Sequence, residues 1–258
     1  MIQIKVEIPS IGIVIAQGNF PDNRLIVGYI HEFFGTVLPP QELAPFVDFS
    51  FCLPGYANAV LFDESQGHDL TWEMYGKYIA EILFAINKPI ILVGNSKGVM
   101  VAIYATFEIP HLVKKLVFYR VPTFAEERTY MKKKYAEIAA SITAEQEFQK
   151  FLDSIQDKAH PDVLRVIETS GWNKAKKLYQ GASLSDLNLS LLENIKQPVD
   201  FIESTFDKFH PKSARDSLFS LLFNSVNKRI IPIKELTELD FLTDIPHPPV
   251  SQSVISDF

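Results

Sequence analysis

The residues best suited to chemistry stand together in Gly94-Asn95-Ser96-Lys97-Gly98. Before them, Ile90, Ile91, Leu92 and Val93 read as a buried strand; after them, Val99 to Phe107 reads as an apolar helix. Strand, sharp turn and helix form the setting in which G-x-S-x-G lifts a serine towards a substrate. Small residues are needed two positions either side, because a side chain there would strike the adjoining strand or helix. The helix starting beneath the serine offers unpaired amides and a positive dipole end, both suited to a developing oxyanion. The competing reading is an ordinary strand–helix turn, with the Ser96 side chain capping the helix.

A serine hydroxyl is a poor nucleophile at neutral pH and needs a base. An imidazole within hydrogen-bond reach, held in one tautomer by a carboxylate, supplies it. Six histidines are available. His68, His111 and His160 read as solvated background, and His31 as shaping the loop it stands in. His210 and His247 remain.

The segments around the serine are those of an alternating α/β chain. Ile2 to Ile8 alternates as a half-buried strand, and Gly12 to Ala16 reads as its antiparallel partner across Pro9-Ser10. Further strands are expected at Arg24 to Tyr29, Val47 to Leu53, Val113 to Val121, Val199 to Glu203 and Arg229 to Ile233. Residues 41–46 read as a short helix, and Leu70 to Ile86 as a long one capped by Thr71. From 124 to 180 the pattern is charged and helical, and 185–196 reads as a helix returning to the sheet. Helices are also expected over Pro211 to Phe223 and from about Val250 to Phe258. The fold class is therefore α/β: a mostly parallel sheet, an N-terminal antiparallel hairpin, and helices on both faces. A helical block over 123–197 interrupts a core made of 1–122 and 198–258, above the carboxyl ends of the strands where such sheets bind ligands.

Composition narrows the partners. The 258 residues are 47% hydrophobic and 22% charged, which suits a full-sized core. A net charge of −6 gives no electrostatic case for nucleic acid or an anionic membrane. No apolar run approaches the ~20 residues of a membrane helix, and the N-terminus lacks a signal-peptide pattern. The single Cys52 excludes an internal disulfide and a cysteine zinc site, and it fits a reducing, cytoplasmic setting. No metal or cofactor is expected. Twenty phenylalanines favour a large apolar interior or pocket. Phe124, Tyr130, Tyr135, Phe148, Phe151, Trp172 and Tyr179 lie in the insertion, as packing or as cleft lining. If they line the cleft, the substrate is a small apolar or aromatic molecule. The chain would act as a monomer or homodimer.

The chain resembles the α/β-hydrolase fold, in the branch with a helical cap. Leu25 to Gly35 is similar to that family's strand and oxyanion loop, Leu53-Pro54-Gly55-Tyr56 to its D-L-P-G-x-G segment, and Gly94 to Gly98 to its nucleophile elbow. Ile109 to Val117 resembles the approach to the following strand, and Ile195 to Pro211 the strand and loop presenting the catalytic acid. The resemblance implies a serine hydrolase of esters or related acyl compounds. Ser96 would be the nucleophile and Asp207 the acid, with Lys97 and Phe33 (or Glu32) lending oxyanion amides. Asp207 could instead be a loop or helix-capping residue; Asp200 and Glu203 are weaker choices within the strand. The order serine, acid, histidine selects His247, the only histidine after the last strand. His210, three residues past Asp207, is the alternative.

Departures from the pattern leave a second reading open. Glu32 stands where glycine is usual, Cys52 where aspartate is common, and Asn95 replaces the common histidine. No Gly-His pair follows the last strand. A carboxylate at Glu32 would oppose a developing anion unless it points away or is protonated. The alternative is a non-hydrolytic homologue, either lyase- or cyclase-like or ligand-binding, with an altered triad.

Overall fold

A computed structural model describes residues 2–8, 12–18, 24–35, 38–56, 70–157, 161–203, 205–207 and 209–236. Eight strands form one sheet in the order β1-β2-β4-β3-β5-β6-β7-β8. β1 (Ile2–Ile8) pairs antiparallel with β2 (Gly12–Gly18), and β2 antiparallel with β4 (Phe49–Phe51). β3 (Ile26–Ile30), β5 (Ile90–Asn95), β6 (Val113–Tyr119), β7 (Val199–Glu203) and β8 (Lys228–Pro232) continue from β4 in parallel.

The strands alternate two buried faces. Ile26, Ile90, Leu92, Leu116, Phe118 and Phe201 point to one, where α1 (Trp72–Ile86), α2 (Lys97–Glu108) and α6 (Lys212–Leu221) pack. Val27, Tyr29, Ile91, Val93, Val117 and Ile202 point to the other, against Leu43, Phe46, Val47, Ile233 and Leu236. Among the described residues this cover comes from two 3-10 turns, Ala44–Phe46 and Ile233–Glu235, and the residues beside them. The helix expected from Val250 lies outside the described residues. Thr71 does cap α1, its hydroxyl accepting from the Met74 amide at 3.2 Å.

Between β6 and β7 the described chain is helical: a 3-10 turn at Ala125–Arg128, α3 (Thr129–Ser141), α4 (Glu145–Ile155) and α5 (Pro161–Leu184). Gly171 bends α5 with a φ of 73°. The helix expected over 185–196 is only a 3-10 turn at Leu189–Asn194. Asn188 caps its start, its side chain accepting from the Ser190 amide at 3.2 Å. Arg128, 5% exposed, fastens the insertion to the core. Its guanidinium donates to the Ala182 and Ser185 carbonyls and stacks 3.9 Å from the Trp72 ring centroid. Among the described residues no helix is long and apolar enough to cross a membrane.

Candidate active site

Two glycines make the turn after β5 possible. A Cβ on Gly94 would come within 2.5 Å of the Gly98 carbonyl oxygen, and one on Gly98 within 2.2 Å of the Ile30 carbonyl oxygen. Neither contact leaves room for a side chain, so the two glycines let helix and strand close on each other here. Between them Ser96 takes φ 53° and ψ −116°, a strained backbone for a residue with a Cβ. Its amide donates to the Tyr119 carbonyl at 3.0 Å, which pins the strain to β6. Asn95 donates to the Tyr29 hydroxyl at 2.9 Å and so ties the elbow to β3.

The Ser96 side chain makes no capping hydrogen bond to α2. It meets His210 instead, with Oγ 2.8 Å from Nε2. His210 Nδ1 lies 3.0 and 3.1 Å from the two carboxylate oxygens of Asp207. A carboxylate can only accept, so Nδ1 carries the proton and Nε2 offers its lone pair to the Ser96 hydroxyl. Three of the sequence-level candidates, Ser96, Asp207 and His210, thus meet at hydrogen-bond distance.

His247, the histidine that chain order selects, lies outside the described residues; among the described residues the ring beside Ser96 belongs to His210. Asp207 and His210 belong to one tight turn, in which the His210 amide donates to the Asp207 carbonyl at 3.2 Å. The Asp207 carboxylate accepts from the amides of Phe209 at 2.7 Å and His210 at 2.9 Å. That Asx-type geometry folds the histidine ring back over the carboxylate. The signal was the D-x-x-H spacing, which a rule based on position after the last strand passes over.

Electrostatics sharpen the pair. Burial alone would raise the Asp207 pKa. Hydrogen bonding and charge from His210, the Phe209 amide and Arg120 outweigh it and hold the carboxyl well below its usual range. Burial lowers the His210 pKa; the Asp207 hydrogen bond opposes this, the Arg120 charge adds to it, and the net direction is down. The lowered pKa favours the neutral imidazole.

The other candidates sit around this centre. Lys97 opens α2, so its amide has no partner within the helix. The loop after β3 carries Glu32 and Phe33, and β3 pairs with β5 up to Ile30 opposite Gly94, beside the elbow. His31 is fully buried and its Nδ1 donates to the Glu32 carbonyl at 2.8 Å, shaping that loop. Burial, with the Lys97 charge, pushes its pKa down to about 3. Asp200 and Glu203 pair elsewhere, with Lys115 and Arg229 at 2.7 Å and with Arg215 at 2.8 Å.

Two features escaped the sequence. Lys97 buries its side chain, 3% exposed, with Nζ donating to the Tyr56 hydroxyl at 2.7 Å. The Tyr56 and Tyr75 ring centroids lie 4.2 and 4.6 Å from that nitrogen. Burial drives its pKa well below the ordinary lysine value, which Glu32 only partly opposes. The second is Arg120 at the end of β6, considered below. A crevice beside Lys97, too narrow for a water molecule, is bounded by Phe33, Tyr56, Trp72, Tyr75 and Leu178. Of the insertion aromatics, Tyr135 and Tyr179 pack on Phe33 at 5.3 and 5.6 Å. Tyr130 is 66% exposed, and Phe124 and Phe148 lie in the core. Among the described residues no cluster of His, Cys, Asp and Glu is arranged as metal ligands.

No protein-family model matches the chain, and no curated protein matches its sequence. Solved structures do. The chain is similar to a hydrolase from Pseudomonas aeruginosa PA01, at 13% identity and a TM-score of 0.66, covering 93% of each chain. It is similar to a hydrolase from Oleispira antarctica, at 16% identity and a TM-score of 0.64, covering 90% of this chain and 89% of that one. A thermophilic esterase from Thermogutta terrifontis matches at 15% identity and a TM-score of 0.61, covering 90% of each. The chain has the α/β-hydrolase fold.

Proposed function

We propose that this protein is a serine hydrolase of carboxylic esters or related acyl compounds. The observation that carries the reading is the contact of Ser96 Oγ with His210 Nε2 at 2.8 Å, with Asp207 on the opposite nitrogen. Ser96 attacks the acyl carbonyl while His210 takes its proton. Asp207 holds the ring in the tautomer this needs and stabilises the imidazolium. The Lys97 and Phe33 amides receive the oxyanion, one such donor being worth ~3–4 kcal/mol of barrier. His210 returns the proton to the leaving group, and water clears the acyl-enzyme by the same steps in reverse. The helical block over 123–197 acts as a cap, and its Tyr135 and Tyr179 rings, packed on Phe33, favour an apolar or aromatic acyl group. Hydrolases and an esterase among the solved structures of this fold agree with the reading.

The non-hydrolytic alternative rested on a missing Gly-His pair and on Glu32. His210 beside Ser96 weakens the first motive, and Arg120 beside Glu32 weakens the second.

A fluorophosphonate probe should label the folded protein at Ser96, and Ser96→Ala should lose both label and turnover of a short-chain p-nitrophenyl ester. Labelling elsewhere, or undiminished turnover in Ser96→Ala, rejects the proposal. The pH profile supplies a further prediction. The base works only when neutral, and its pKa is lowered, so activity persists to lower pH than an ordinary imidazole would allow. The acid limb of kcat/KM should have its midpoint below ~6.5. A midpoint at or above that value counts against His210 as the base.

A further inference from the structure

We infer that Arg120 is a positioning residue that ties the oxyanion loop to the acid loop and offsets the charge of Glu32. The inference rests on the hydrolase reading for its kinetic consequences only. Arg120 follows β6 with a φ of 54°, an uncommon backbone for a residue with a long side chain. That turn sets its guanidinium between two loops. One nitrogen donates to Asp207 Oδ2 at 2.9 Å, and the other lies 3.5 Å from Glu32 Oε2. β6 lies beside β7 and one strand, β5, from β3, so a long side chain at the end of β6 can reach the loops after both β3 and β7.

The groups facing this guanidinium are Glu32 on the β3 loop, Asp207 and His210 on the β7 loop, and the Tyr29 and Tyr119 phenols on β3 and β6. Two jobs follow. The cation favours an ionised Asp207, and it opposes a second positive charge on His210. It also balances a carboxylate that would otherwise face a developing oxyanion. Arg120 and Glu32 are each 31% exposed, so solvent screens the pair and the effects are moderate.

The test uses wild type, R120Q, E32Q and the double variant, with two readouts. The first is the His210 imidazole titration followed by NMR, which needs no turnover. R120Q should raise the His210 pKa by about half a unit, and E32Q should lower it, because the guanidinium then acts on Asp207 and His210 unopposed. The second is kcat for a p-nitrophenyl ester. R120Q should lose roughly fivefold, and adding E32Q should restore much of that loss. E32Q is partly exposed and keeps the test available if R120Q does not fold. Identical titrations in wild type and E32Q, or an E32Q effect on kcat that is the same with and without Arg120, overturn the inference. If wild type shows no turnover but the titrations move as stated, the linkage stands and the hydrolase reading fails.

Discussion

Replacing His210 by alanine should lower kcat/KM by about four orders of magnitude, and His247→Ala should leave it within about twofold. The size follows from the work the ring does. Without it nothing accepts the Ser96 proton, and the hydroxyl must attack as a neutral alcohol. Asp207→Asn should cost a comparable ~10⁴, because an amide cannot hold Nδ1 protonated as a carboxylate does. The two losses should not add, since each alone disables one unit. Steady-state kinetics on a p-nitrophenyl ester measures all three, with a denaturation curve for each variant to show that it is folded. Full activity in His210→Ala, or loss confined to His247→Ala, would return the base to the end of the chain.

The reason His210 can serve lies in its turn. Acid and base usually reach a serine from separate loops. Here Asp207 and His210 stand within one turn, and the Asp207 carboxylate accepts two amides of that same turn. Ordering one loop therefore sets both groups. The elbow lies 114 residues away in sequence, yet β5 and β7 flank β6, so the two strand ends arrive side by side.

That contrast separates what the sequence shows from what it hides. The elbow is legible because its demands are local: two glycines, one serine, an apolar strand before and an apolar helix after. The alternating strands are legible for the same reason, and the sheet follows from them. The base is not legible by position alone, since choosing between His210 and His247 needs the distance from each loop to Ser96. Asp207 could be chosen, but its partner depended on an Asx turn that sets the ring over its own neighbour. Arg120 and Glu32 lie 88 positions apart (120 − 32) and meet only because β3, β5 and β6 are consecutive in the sheet. Lys97 was read for its amide alone, because a lysine after a nucleophile looks solvated until Tyr56 and Tyr75 enclose it.

Replacing Lys115 by methionine should destabilise the fold by about 3 kcal/mol, although the new side chain is apolar and close in length. In Val113-Lys114-Lys115-Leu116 the two lysines look alike, yet Lys115 is fully buried while Lys114 is not. The Lys115 ammonium sits 2.7 Å from Asp200 Oδ2 on the next strand. Asp200 is opposite Arg229 in the register of β7 with β8, and the Arg229 guanidinium grips the carboxylate at 2.7 and 3.0 Å. One buried carboxylate is thus held from both neighbouring strands. Removing the lysine leaves that carboxylate, 3% exposed, with Arg229 still paired to it. Breaking a buried pair from one side typically costs ~3–5 kcal/mol, and the retained arginine argues for the lower end. Removing both sides has a different outcome. In the Lys115→Met, Asp200→Leu double variant the two buried charges of the pair leave together, and Arg229, its side chain 31% exposed, can turn to water. Most of the lost stability should return. Urea denaturation of the wild type, the single variant and the double variant measures both effects. A single variant within ~1 kcal/mol of wild type would mean the ion pair contributes no more than an exposed one. A double variant no better than the single would mean that Lys115 stabilises the sheet through its packed methylenes rather than its charge.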